Sequence, residues 1–173
     1  PTKNARRAAA WFEAMKDTSL FDHTCNVVEN AIELTRQTFS EAGYRNLIPV
    51  VVIAALAHDI GKRDEFRKSS PVRKDGHNHV SAEYLKTLFH DTDVKWLDQA
   101  VTAILQHHTG PKNNDDAVAK ILFDADAKAR EGEMAVRGAA LVREPISKWL
   151  DLKDLARALL PSINILDRDR YWQ

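Results

Sequence analysis

A single cysteine, Cys25, stands among the 173 residues of the chain. No intramolecular disulfide can form, so a disulfide-stapled extracellular scaffold is excluded, and a reducing cytoplasmic setting is the expectation. Long apolar stretches are missing as well. The longest, Ile48 to Ala57, falls short of the ~20 residues that a membrane-spanning helix needs. No signal peptide is visible. Nor is charge of one sign in excess, because 25 Lys and Arg face 25 Asp and Glu. Net charge therefore gives no argument for bulk attraction to nucleic acid or to an anionic membrane surface. Repeats and low-complexity segments are absent too. The length suits one domain with a real core. The chain opens on Pro1 and closes on Arg170-Tyr171-Trp172-Gln173, and it is read as trimmed or excised from a longer protein with further domains.

What is present is helical patterning. Apolar residues recur at spacings of three and four, which predicts an all-α domain. Ala8, Trp11, Phe12 and Met15 mark a first amphipathic helix. A second is expected from about Asp22 to Glu41, with Gly43 ending it. Pro49 is expected to open a third, apolar on all sides from Val50 to Ala57 and stopped at Gly61. The run Val50-Val51-Val52-Ile53 would also suit a buried strand, but the Ala-rich continuation favours helix. Residues 62 to 76 read as a basic loop with Lys62, Arg63, Arg67, Lys68, Arg73 and Lys74, broken by Pro71 and Gly76. Further helices are expected over about 78–89, 94–108 and 116–130. The core is placed at 1–132. An extension, 133–173, carries helical patches over 145–150 and 152–160 and a β-like stretch over 163–166.

Six of the seven histidines fall in an ordered series with aspartates. It runs His23, His58-Asp59, His77-x-His79, His107-His108, Asp124-x-Asp126, and only His90 stands apart as a solvated residue. Imidazole and carboxylate together are a ligand set for divalent transition metals. Ligands so far apart must converge from several elements. His58-Asp59 and His107-His108 each close a helix. Adjacent helical side chains point roughly 100° apart, so such a pair serves one metal at a helix end or reaches two adjacent ones. The partial negative charge of a helix C-terminus favours a cation there. The bland alternatives are a surface or capping pair for His58-Asp59 and a solvated loop for the basic segment. Cys25 and the tryptophans Trp11 and Trp96 suit core positions.

His23, then Ala57-His58-Asp59-Ile60-Gly61-Lys62, then a late Asp on a helix resembles the HD superfamily of metal-dependent phosphohydrolases, over about residues 20–130. The additional histidines are similar to its two-metal branches: HD-GYP phosphodiesterases, HD-type diadenosine tetraphosphate hydrolases and HD nuclease domains of CRISPR helicases. His77-Asn78-His79-Val80-Ser81-Ala82 resembles their middle His segment, whose register picks His77 over His79, with Ser81 as the small residue at a close helix packing. Ala103 to His108 resembles the double-His segment. Lys120 to Asp126 resembles the final one, where the Asp after Ala is the ligand, so Asp126 ranks ahead of Asp124. The Gly-Tyr-Pro signature of cyclic-di-GMP enzymes is missing, which argues against that substrate.

The resemblance implies an HD helical bundle holding two divalent ions, drawn from Mn, Fe, Co or Ni, with Mg or Zn as further options. Asp59 would bridge them. His23, His58 and Asp126 would complete one site, and His77, His107 and His108 the other. The expected reaction is hydrolysis of a phosphoester, nucleotide or nucleic acid phosphodiester, by metal-activated hydroxide. Lys62 would bind substrate phosphate, with Arg67 and Lys68 of the basic loop and Arg130, four residues beyond Asp126, as further phosphate contacts. The substrate is a phosphorylated small molecule or a single-stranded nucleic acid, and no membrane partner is expected. Alternatives are a nuclease or relaxase-type domain of a larger DNA-processing protein, a di-iron oxygenase, and a non-catalytic metal-binding module.

Overall fold

The computed structural model describes residues 18–92, 94–113 and 115–135. The helix expected around Trp11 and the tail beyond Ala135 lie outside the described residues. Six α-helices and one 3₁₀ turn follow in order, with no strand among the described residues. No described helix is long and apolar enough to cross a membrane. The expectation of an all-α domain is met.

Helix α1, Leu20–Thr38, starts where Ser19 accepts a hydrogen bond from the Asp22 amide at 3.0 Å. Its buried residues are His23, Val27, Ala31 and Thr35, one per turn along a single face. The register that buries Val27 and Ala31 therefore also carries His23 into the interior. The chain then turns at Phe39, and Ser40 caps α2, Glu41–Ala57. The boundary thus falls earlier than the Gly43 and Pro49 expected from sequence. Gly43 lies in the first turn of α2, where its amide donates to the Ser40 hydroxyl at 3.3 Å. Pro49 sits inside the helix. An interior proline costs about 3 kcal/mol. Burial of Val50, Val51 and Ile53, at roughly 1.5–3 kcal/mol each, outweighs it.

Beyond α2 the chain makes a 3₁₀ turn, Ile60–Lys62, and a short helix α3, Asp64–Ser69. The segment expected to be a basic loop therefore contains a helix. It has no buried residue, so no apolar period could announce it. Its charges favour it instead. Asp64 and Glu65 occupy the first turn, Arg67 and Lys68 the last, and Lys68 pairs with Asp64 at 2.9 Å. Helix α4, His77–Leu88, follows Gly76, whose φ of 118° suits glycine. Then come α5, Trp96–Gln106, and α6, Ala117–Ala135, the latter begun by Asp116 accepting from the Ala119 amide at 3.0 Å. Helix α6 runs unbroken through residue 132, where the sequence reading divided core from extension.

α2 runs through the middle and touches α1, α4, α5 and α6. Its buried Ala54, Ala55 and Ala57 face a core that also holds Ala100, Ala103, Ala125 and Ala129 from α5 and α6. Small side chains at these contacts let the helix axes come close. Larger residues close the periphery. Trp96 is buried, edge-on to Phe89 with ring centroids 5.0 Å apart.

One approach is tighter still. A Cβ on Gly61 would lie 2.2 Å from the His77 carbonyl oxygen and 2.8 Å from Val80 Cβ. The Gly61 amide donates to the buried Ser81 hydroxyl at 2.9 Å. Glycine at 61 and a small polar residue at 81 thus let the 3₁₀ turn rest on the first turn of α4. Gly61→Ala should destabilise the fold by about 1–3 kcal/mol, the usual cost of overpacking, and should push His77 away from Asp59. Chemical denaturation of the metal-free protein reads the first effect and metal titration the second. Wild-type values for both would show the turn to be slack.

Candidate metal centre

Two helix ends build the middle of the site in the same way. His58 follows the last residue of α2, and its Nδ1 donates to the Ala55 carbonyl at 2.6 Å. His107 follows the last residue of α5, and its Nδ1 donates to the Ile104 carbonyl at 2.6 Å. A carbonyl can only accept, so the proton is on Nδ1 in both rings. Each contact satisfies a last-turn carbonyl that has no helical partner. Each also turns Nε2 inward, and the two rings meet edge-on at 5.2 Å.

Asp59 lies between the groups that gather here. Its Oδ2 is 3.4 Å from His58 Nε2 and 3.6 Å from His23 Nε2. Its Oδ1 is 3.0 Å from His77 Nε2 and 3.5 Å from His107 Nε2. Asp126, reaching in from α6, brings Oδ1 to 3.1 Å from His23 Nε2. His108 Nε2 lies 2.8 Å from His77 Nε2. The ligand-type atoms fall into two sets, each within 4.8 Å: Asp59, His77, His107 and His108 in one, His23, His58 and Asp126 in the other.

Burial makes this arrangement costly on its own. His23, His58, Asp59, His107 and Asp126 are all buried. His23 Nε2, His58 Nε2, His107 Nε2, Asp59 Oδ1 and Asp126 Oδ1 are inaccessible to solvent and have no well-aligned hydrogen bond. Nε2 of His58 and of His107, whose protons are on Nδ1, and the two carboxylate oxygens are lone-pair-bearing atoms aimed at one another. A cation is what such a set accommodates, and nitrogen plus carboxylate oxygen suits a divalent transition metal. The negative ends of α2 and α5 act in the same direction. In the metal-free protein a proton answers part of the imbalance. Burial opposes the charged form of His23, but Asp126, Glu133 and Asp59 lift its pKa to about 9. Burial alone would raise Asp59, yet the imidazoles of His58, His107 and His77 hold it far below the usual carboxylate range. Asp126, likewise opposed by burial, is held down by His23, His58 and Arg130. Burial and the neighbouring His107, His77 and Arg130 depress His108 to about 4, against a smaller opposing pull from Asp59.

The alternatives left by the sequence separate clearly in space. His79 is exposed, whereas His77 reaches Asp59. Asp124 pairs with Lys120 at 2.8 Å, whereas Asp126 reaches His23. His90 is exposed and pairs with Asp91 at 2.9 Å. Of the residues expected to meet substrate, Lys62 donates to Asp59 Oδ2 and Arg130 pairs with Asp126 Oδ2 at 2.8 Å. Arg67 and Lys68 are exposed on α3 beside Asp64 and bond to none of the converging side chains.

Sequence reasoning missed Glu133. Its side chain is 4% exposed, and both oxygens face His23 Nδ1, at 3.0 and 3.1 Å. The signal that would have found it is helical. Glu133 lies two turns beyond Asp126 on one face, in a helix that the apolar pattern ends at about Arg130 and that runs to Ala135.

The family model of the HD domain matches residues 20–131, and the chain belongs to the HD domain family. HD domains are as a class metal-dependent phosphohydrolases. Comparison with curated proteins and with solved structures gives no significant match.

A metal ligated by His23 would have to displace the proton that this ring holds below about pH 9. Apparent affinity should therefore rise with pH up to about 9, by roughly tenfold per unit for each proton released. Calorimetry in buffers of different ionisation enthalpy should show proton release on binding at pH 7. Binding at pH 7 with no proton released would contradict this account of His23.

Proposed function

We propose that the domain hydrolyses a phosphoester with two divalent ions, which would be held by His23, His58 and Asp126 on one side and by His77, His107 and His108 on the other, with Asp59 serving both sets. The observation that carries the reading is the split of the Asp59 carboxylate, Oδ2 toward His23 and His58, Oδ1 toward His77 and His107. A carboxylate can hold one ion through one oxygen or both. Two oxygens directed into two separate ligand sets suit a pair of ions. Divalent ions so held lower the pKa of water toward neutrality and polarise a phosphoryl oxygen.

The protein's own groups supply the rest. His58 and His107 are oriented by backbone carbonyls, so they present nitrogen without reorganising. His77, His108 and Lys62 are the more open members, with His77 25% and Lys62 39% exposed at the side chain. Substrate approaches from that flank. There the Lys62 ammonium, held by Asp59, acts as a point charge for a phosphate oxygen. Arg130, 20% exposed and anchored on Asp126, is positioned to give a second contact.

The surroundings favour a nucleotide or another small phosphoester over a long single strand. Two of the six cations in the basic segment are committed within it, Arg63 to Glu65 and Lys68 to Asp64, and a third, Lys62, to Asp59. A strand would need a row of uncommitted cations. If one binds, affinity should fall with salt by about 0.7 log units per log unit of salt for each phosphate neutralised. Fluorescence titration of labelled single strands measures this, and steep salt dependence lost on charge reversal at Arg67 and Lys68 would replace the small-molecule reading.

Bis-p-nitrophenyl phosphate with added Mn²⁺ tests the reaction. Asp59→Ala should abolish turnover, and Lys62→Ala should mainly raise KM. Elemental analysis of reconstituted protein should exceed one equivalent of metal. Turnover unchanged in Asp59→Ala with metal still bound would remove Asp59 from the mechanism. Metal capped at one equivalent would reduce the centre to a single ion.

A further inference from the structure

His23 is held at both ring nitrogens by one helix. Asp126 approaches Nε2 at 3.1 Å, and two turns further along α6, Glu133 faces Nδ1 at 3.0 and 3.1 Å. Glu133 is itself fixed. Asn26, one turn beyond His23 on α1, donates to Glu133 Oε1 at 2.8 Å. The carboxylate therefore has a donor on each side, and its side chain is 4% exposed. His58 and His107 receive the same service from backbone carbonyls. No carbonyl does this for His23, because it lies near the start of its helix rather than at the end. A side chain from another helix performs the task, and it lies beyond the span that the family model matches.

We propose that Glu133 is a positioning residue of the metal centre: with Asn26 it holds the His23 ring so that Nε2 faces the His58–Asp126 side of the site. The proposal rests on the metal-centre reading above, but not on the reaction. A carboxylate behind a ligand histidine sets the tautomer, restricts ring rotation and strengthens the nitrogen as a donor. Glu133 touches no substrate in this role. Its effect should be confined to the ligand set that contains His23.

Stepwise Co²⁺ titration of the full chain, followed by visible absorption and elemental analysis, tests this. His58→Ala and His108→Ala identify which binding step belongs to which set. Glu133→Ala should weaken the step lost in His58→Ala by roughly 10- to 100-fold. It should leave the step lost in His108→Ala within about twofold, a contrast in line with the local reach of such contacts. Asn26→Ala, which frees the carboxylate without removing it, should weaken the same step to a smaller extent. Thermal melting of the metal-free variants checks folding. If Glu133→Ala does not fold, Glu133→Gln carries the comparison, because Gln keeps the shape and an acceptor oxygen but loses the charge. A loss of about threefold or more in the same step alone supports the proposal. An equal loss in both steps, or none in either, overturns it. Wild-type protein that binds no Co²⁺ would sink the metal centre itself, a different result from wild-type binding that Glu133 variants leave intact.

Discussion

A carboxylate and a ring of imidazoles, buried with their lone pairs facing inward, set the terms for the rest of this molecule. A buried acceptor without a hydrogen bond costs about 1–3 kcal/mol. Four such acceptors gather here: His58 Nε2, His107 Nε2, Asp59 Oδ1 and Asp126 Oδ1. Their combined cost is on the order of the whole net stability of a domain, about 5–15 kcal/mol. A cation placed among them would offset that cost. A proton on His23 serves in part, and a divalent ion serves more fully because it engages several donors at once.

The fold brings these atoms together from four helices. α1 and α6 pack against each other and against α2, and supply His23 and Asp126 from buried faces. α2 and α5 supply residues from their ends, where free carbonyls orient the rings. Alanines at the helix contacts keep the ends near one another. The tight seat of Gly61 on the His77 carbonyl brings the start of α4 to Asp59. Every device is local and cheap, but the convergence needs all of them in register.

The sequence was legible where chemistry coincides with helical period. His58 and His107 stand where apolar helices break into polar pairs, and Asp126 ends an apolar run, so each is conspicuous. Other features were hidden for identifiable reasons. The start of α2 was misplaced because Ser40, an unobtrusive cap, outranks Gly43 and Pro49 as punctuation. Helix α3 carries no buried residue and depends on charge placement, to which apolar periodicity is blind. Glu133 looks like any acidic surface residue near a helix end. Only the packing of α6 against α1 shows that it points inward.

The two ligand sets differ in their access to water. His23, His58 and Asp126 are all buried, while the other set includes exposed His108 and partly open His77. An ion in the inner set is shut in by packed helices and can leave only when they part. An ion in the outer set can trade ligands with the surrounding solution while the fold stays closed. The same scaffold thus sets two residence times side by side. An ion held in the inner set would behave as a permanent component, installed once and retained. One held in the outer set would follow the composition of the medium, so its identity would be a property of the surroundings as much as of the chain.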